Sequence, residues 1–95
     1  MIAHVVMLKF KPEFPEAAEE VKRRLDALPP IIEQIKKYEV GINIVESSRA
    51  YDVAIYSQFD SLEALETYQA HPVHQEALTY IRSVISGMTA VDYEL

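Results

Sequence analysis

The amino-acid sequence predicts an α+β domain of ferredoxin-like β-α-β-β-α-β order: an antiparallel four-stranded sheet with its helices on one face. Three observations carry this. Strand-like runs occur at Ile2–Phe10, Val40–Glu46, Tyr51–Phe59 and Met88–Leu95. Stretches of helical spacing separate the first run from the second and the third from the fourth, as in a split βαβ unit. Finally, 95 residues suffice for one small core, so the chain is expected to be a single domain, residues 1–95.

Each element has its own signals. In the first strand the even positions Ile2, Val6, Leu8 and Phe10 are apolar and only His4 interrupts them, while Ala3, Val5 and Met7 make the odd face apolar too. A strand of this kind is buried on both faces. Pro12 and Pro15 close it and open a helix in which Ala18, Val21, Leu25 and Leu28 recur at helical spacing. Pro29-Pro30 ends that helix, and a further turn or two should carry Ile31, Ile32 and Ile35 toward the core. "SSRA" turns between the second and third strands. Asp60 with Glu63 reads as an N-cap pair, and the helix from Ser61 should send Leu62, Leu65 and Tyr68 inward. After Pro72 a second segment presents His74, Leu78, Ile81 and Ile85 on one face, with Gly87 as its stop. The helices can cover one sheet face only, so the other, also apolar, is expected to meet a second copy in a homodimer.

Charge and composition exclude several function classes. A net charge of −6 disfavours nucleic acid and anionic membrane surfaces, and "KFK" and "KRR" are offset by Glu13, Glu19, Glu20 and Asp26. The absence of cysteine excludes disulfides, thiolate catalysis and zinc–thiolate sites, and suits a cytoplasmic location. "MIAHVVMLKFK" reads as a strand and not a signal peptide, and no apolar run is long enough to span a bilayer.

The chemistry centres on "YQAHPVH", Tyr68 to His74. Pro72 disfavours helical geometry at His71 and is suited to the first position of a new helix. His71 should therefore cap the joint or lie near the surface, while His74 sits inward in the first turn beyond it. The helix N-terminus and burial both disfavour its imidazolium, leaving a neutral base near pH 7. In the split βαβ the first and third strands are expected to run parallel with the next helix returning along them, and His74 lies thirteen helical steps from Ser61, roughly 20 Å at about 1.5 Å each. His4 lies six strand steps back from Phe10, again roughly 20 Å at about 3.3 Å each. The two histidines come out level, with the Tyr68 hydroxyl nearby, around a small partly apolar pocket. No metal is expected, because a helix break splits His71 from His74 and no carboxylate has an obvious place beside them inside.

These residues resemble the stress-responsive A/B barrel domain family, or Dabb, from end to end. The resemblance rests on "HVVMLKFK", "EVGIN", "SSRAYDVAIYSQFDSLEALETYQAHPVH" and "VDYEL", and its specific part is Tyr-x-x-His-Pro-x-His after Phe-Asp-Ser. It implies a dimeric α+β barrel in which two protomers close a barrel between their sheets. Many members have no assigned reaction, and the family name reflects induction under stress in plants. One plant branch is a cofactor-free polyketide cyclase using histidine and tyrosine as acid–base groups, and His4, His74 and Tyr68 match those positions. That branch adds a second tyrosine from the first helix, where "VKRRLDAL" has none.

Two functions follow from the sequence. One is cofactor-free acid–base chemistry on a small apolar or carbonyl compound, with His74 as general base and His4 or Tyr68 stabilising the oxyanion. The other is a non-enzymatic stability or interaction protein with packed histidines. A monooxygenase or haem-handling role on a similar barrel is disfavoured by the lack of tryptophan.

Overall fold

Alternation along the strands decides which side of the sheet each residue serves. In the computed structural model, which describes residues 1–95, β1 (Ile2–Phe10) turns Ile2, His4, Val6 and Leu8 toward the helices, where all four are buried. The chain continues through α1 (Ala17–Asp26), β2 (Lys37–Ile42), β3 (Val53–Phe59), α2 (Leu62–Ala70), α3 (Pro72–Val84) and β4 (Ile85–Glu94). All neighbouring strands pair antiparallel in the order β2-β3-β1-β4, the expected ferredoxin-like sheet.

The assumption that the first and third strands run parallel is wrong. β1 pairs antiparallel with β3, Ile2 opposite Phe59 and Leu8 opposite Val53. In a split βαβ it is β1 and β2 that run parallel, with β3 inserted between them. The core fills the space under the helices: Val21 and Leu25 of α1, Leu28 and Ile32 after it, Val53 and Phe59 of β3, and Ile81 of α3. Arg24 of α1 stacks its guanidinium 4.2 Å from the Tyr80 ring centroid, tying α1 to α3.

Several boundaries differ from expectation for local reasons. β2 begins at Lys37 and stops at Ile42, and one further backbone bond, from the Asn43 N–H to the Asp52 carbonyl, ends its pairing with the neighbouring chain. Ile44 and Val45, expected in that strand, are exposed instead. Ile31 also faces solvent, whereas Ile32 is fully buried and Ile35 half-buried. Ser61, not Asp60, caps α2 by accepting the Ala64 N–H at 3.1 Å, and Leu62 in its first turn is exposed. Gly87 does not stop α3. That helix passes into β4 at Ile85 without a loop, and no glycine has a positive φ. A bulge absorbs the junction: Lys9 pairs with Gly87 and Phe10 with Ile85, leaving Ser86 unpaired. No helix is long and apolar enough to cross a membrane.

The other sheet face carries no helix. Cross-strand register puts Val5, Tyr56 and Val91 in one row, Ala3 and Tyr93 in the next, and Met7 with Ala54 on the far side. Met7, Val91 and Tyr93 are exposed there.

Candidate functional site

The break between α2 and α3 creates the site. His71 has extended backbone at φ −61°, ψ 133°, as a residue before proline should, and serves both helices. Its N–H closes α2 on the Tyr68 carbonyl, and its Nδ1 accepts the Val73 N–H at 3.1 Å, capping α3. His71 is thus the joint itself. Pro72 opens α3, and His74 lies buried in its first turn.

A hydrogen bond to a carbonyl fixes the tautomer of His74. Its Nδ1 lies 3.1 Å from the Gln69 carbonyl oxygen, which can only accept, so Nδ1 carries the proton and Nε2 keeps its lone pair. Burial holds its pKa below the ordinary histidine value, and the proximity of His4, Arg82 and His71 adds to this. The Gln69 bond opposes the shift.

His4 projects from β1 into the same space, beneath α2. Its Nδ1 is hydrogen-bonded to the Asp92 carboxylate on β4, directly across the ladder. This pair corrects the expectation that no carboxylate would stand beside the histidines. The carboxylate orients the ring and leaves Nε2 on its other side. Buried Ser57 donates its hydroxyl to the His4 carbonyl at 3.2 Å, fixing the backbone beneath it.

Tyr68 of α2 stands between the two imidazoles, its ring centroid 6.4 Å from His4 and 4.3 Å from His74. Its hydroxyl is 2.9 Å from that of Tyr38 on β2. Burial pushes Tyr68 up to about 12 and moves Tyr38 further in the same direction, so both phenols stay protonated at neutral pH. His4, Tyr68 and His74 line one hollow of about 360 Å³ between sheet and helices, with Leu25, Leu78 and Met88 among its apolar walls. A more open groove of about 680 Å³ lies between the β1–α1 and β2–β3 connections, and no histidine lines it.

The three expected residues therefore meet, though not for the expected reason. Ser61 begins beside the Ile2 end of β1, so a continuous helix would carry His74 well past His4. The turn at His71 redirects the chain and keeps His74 against Tyr68. Asp92 and Tyr38 escaped the sequence reading. Antiparallel pairing of the first and last strands could have placed "VDYEL" beside "MIAHV" and Asp92 opposite His4. Tyr38 lay before the expected start of its strand, so its direction had no pattern to fix it. No three His, Asp or Glu side chains converge closely enough to hold a metal ion.

Comparison with known proteins agrees with this fold. The sequence model of the Stress responsive A/B Barrel Domain matches residues 2–95. An uncharacterised protein of Streptomyces coelicolor is 32% identical over 97 residues, spanning 99% of each chain. A stress-response A/B barrel domain-containing protein of Arabidopsis thaliana is 30% identical over 98% of this chain and 88% of its own. Among solved structures, a dimeric protein of unknown function and ferredoxin-like fold from Bacteroides fragilis superposes with a TM-score of 0.89 at 30% identity, covering 99% of this chain and 95% of the other. With the family match running from β1 through β4 and both sequence relatives covered nearly end to end, the chain belongs to the stress-responsive A/B barrel domain family.

Proposed function

We propose that this protein is a homodimer whose protomers each carry a site for cofactor-free proton transfer beside the carbonyl of a small, largely apolar compound. The observation that carries the chemistry is the convergence of His74, His4 and Tyr68 on one hollow with apolar walls. His74 is neutral with Nε2 free, so it takes the proton next to the carbonyl. Tyr68, a protonated phenol backed by Tyr38, donates to the oxygen as charge develops there. His74 returns the proton to the same carbon or exchanges it with solvent, the phenol recovers its own from the enol oxygen, and His4, oriented by Asp92, lines the hollow beside them. The resemblance to the cyclase branch supports the same groups. Tyr38 brings a second phenol from β2 where that branch uses the first helix, but it stands behind Tyr68, outside the hollow lining.

The apolar open face supports the dimer, as does the dimeric state of the Bacteroides relative. The lack of cysteine suits a cytoplasmic setting, and the net charge of −6 argues against nucleic acid as a partner. The chemistry is tested by deuterium exchange beside the ketone of an apolar methyl ketone in heavy water, followed by NMR. The wild-type protein should accelerate exchange, and His74→Leu should lower that rate by about 10² or more while circular dichroism stays unchanged. Equal exchange in both proteins, or none in either, would leave the histidines as packed and hydrogen-bonded groups of a non-enzymatic stability or interaction protein.

A further inference from the structure

The lining of the hollow is electrostatically one-sided. The chain has 15 acidic and 9 basic residues, yet no carboxylate lines the hollow, and its one lysine or arginine is Arg82. Arg82 lies in the last turn of α3 and is solvent-exposed, which puts it at the mouth. It takes part in none of the ion pairs of the protein, which join His4 to Asp92, Lys22 to Asp26, Arg23 and Arg24 to Glu20, and Lys36 to Asp60. Arg23 and Arg24 of α1 are neutralised by Glu20, whereas Arg82, like Arg49 in the β2–β3 connection, has no carboxylate partner.

Its placement along α3 is as informative as its charge. His74, Leu78 and Arg82 are spaced four residues apart and form one ridge along the hollow. From His74 to Arg82 the helix rises about 12 Å. Side chains on a helix lean toward its N-terminus, so Arg82 faces the hollow and not the end of the helix. A basic mouth, an apolar middle and an acid–base end thus follow one another along a single helix.

We propose that Arg82 selects the ligand: the hollow takes an apolar carbonyl compound bearing a carboxylate at its far end, held by the guanidinium while the carbonyl meets His74 and Tyr68. This rests on the reading of the hollow as a carbonyl site and adds the ligand's charge and the order of its parts. Guanidinium matches carboxylate with two parallel hydrogen bonds, a geometry that a neutral ester cannot reproduce. The protein's overall negative charge works against any anion, so a preference for one must be made locally.

The test uses undecanoic acid bearing a ketone next to its terminal methyl group, and the methyl ester of the same compound. Binding is followed by NMR titration, and deuterium exchange beside the ketone is followed in the same samples. The wild-type protein should bind the acid about five- to tenfold more tightly than the ester, with the margin shrinking as salt is added. Arg82→Met should abolish or invert that preference, and Arg82→Lys should keep part of it. A purely structural role for Arg82 would weaken both compounds alike and so overturn the proposal. Equal binding of acid and ester by the wild type, with exchange still catalysed, would refute the role of Arg82 and leave the proton-transfer reading standing. If neither compound binds or exchanges, both fall.

Discussion

The two faces of the sheet are made by the same four strands, with alternate residues serving each. On the covered face, Ile2, Val6, Leu8, Val53 and Phe59 are closed over by helices, and the remaining hollow holds His4, Tyr68 and His74. On the open face, Val5, Tyr56 and Val91 share a row, flanked by Met7 and Tyr93, with nothing from the same chain above them. The covered face shows how a small core accommodates polar groups: no side-chain nitrogen or oxygen sealed from both solvent and hollow lacks a hydrogen-bond partner. The open face shows an apolar surface that one protomer does not cover. The first is closed within one protomer, and the second is left open by it.

The comparison is broken most forcefully on the open face. Val91→Asp places a charge on a side chain that is 57% exposed in the protomer, so it costs the monomer little. It should weaken dimerisation by about a hundredfold or more, because the carboxylate would be stripped of water in the contact. Sedimentation velocity at micromolar concentration should show a dimer for the wild type and a monomer for the variant. A wild-type monomer would remove the dimer from the account.

On the covered face the same logic gives smaller effects. Tyr38→Phe leaves the buried Tyr68 hydroxyl without its partner and should cost about 1–3 kcal/mol in urea unfolding. The double change to phenylalanine at both positions should cost less than the sum of the two single changes.

His74 sharpens the contrast through pH. Its pKa is lowered on folding, so below about 6.5 the unfolded chain binds the proton more readily than the native one. Its stability contribution is full above that value and falls as the pH drops through it toward the lower native pKa. His74→Leu should flatten this part of the stability–pH curve. NMR should show the His74 ring neutral near pH 7, and a protonated ring there would exclude it as the base.

The smallest effect belongs to the solvent side of α2. Ser61→Ala removes the cap and should cost about 1 kcal/mol by thermal or urea unfolding, with no change in dimerisation.

How much of this was legible in the sequence follows from the range of each signal. The order of elements along the chain and the buried ridge of α3 came from short-range periodicity, which residues such as Val21, Leu25 and Ile81 carry regardless of context. The helix joint was equally local, since Pro72 restricts His71 directly. Strand ends were less legible, because a strand stops where its pairing does: nothing in "INIV" shows that the backbone bonds to the neighbouring strand end at Asn43. The site was legible in part. His4, Tyr68 and His74 each carried an inward signal, whereas Asp92 joins His4 only through the β1–β4 register, across 88 positions of chain. The same non-local register defeated the level argument, which assumed the wrong strand direction.

Under the proposed function, the position of Asp92 ties its work to protein concentration. It lies between Val91 and Tyr93, whose side chains point to the opposite face, and β4 is an edge strand held to the sheet by β1 alone. The residues that would grip a second subunit are thus the immediate covalent neighbours of the carboxylate that aims His4. Dilution that separates the subunits would loosen this strand and, with it, the bearing of the imidazole. Specific activity, measured per protomer, would then fall as the protein is diluted, giving a dose response that an independent protomer would not show.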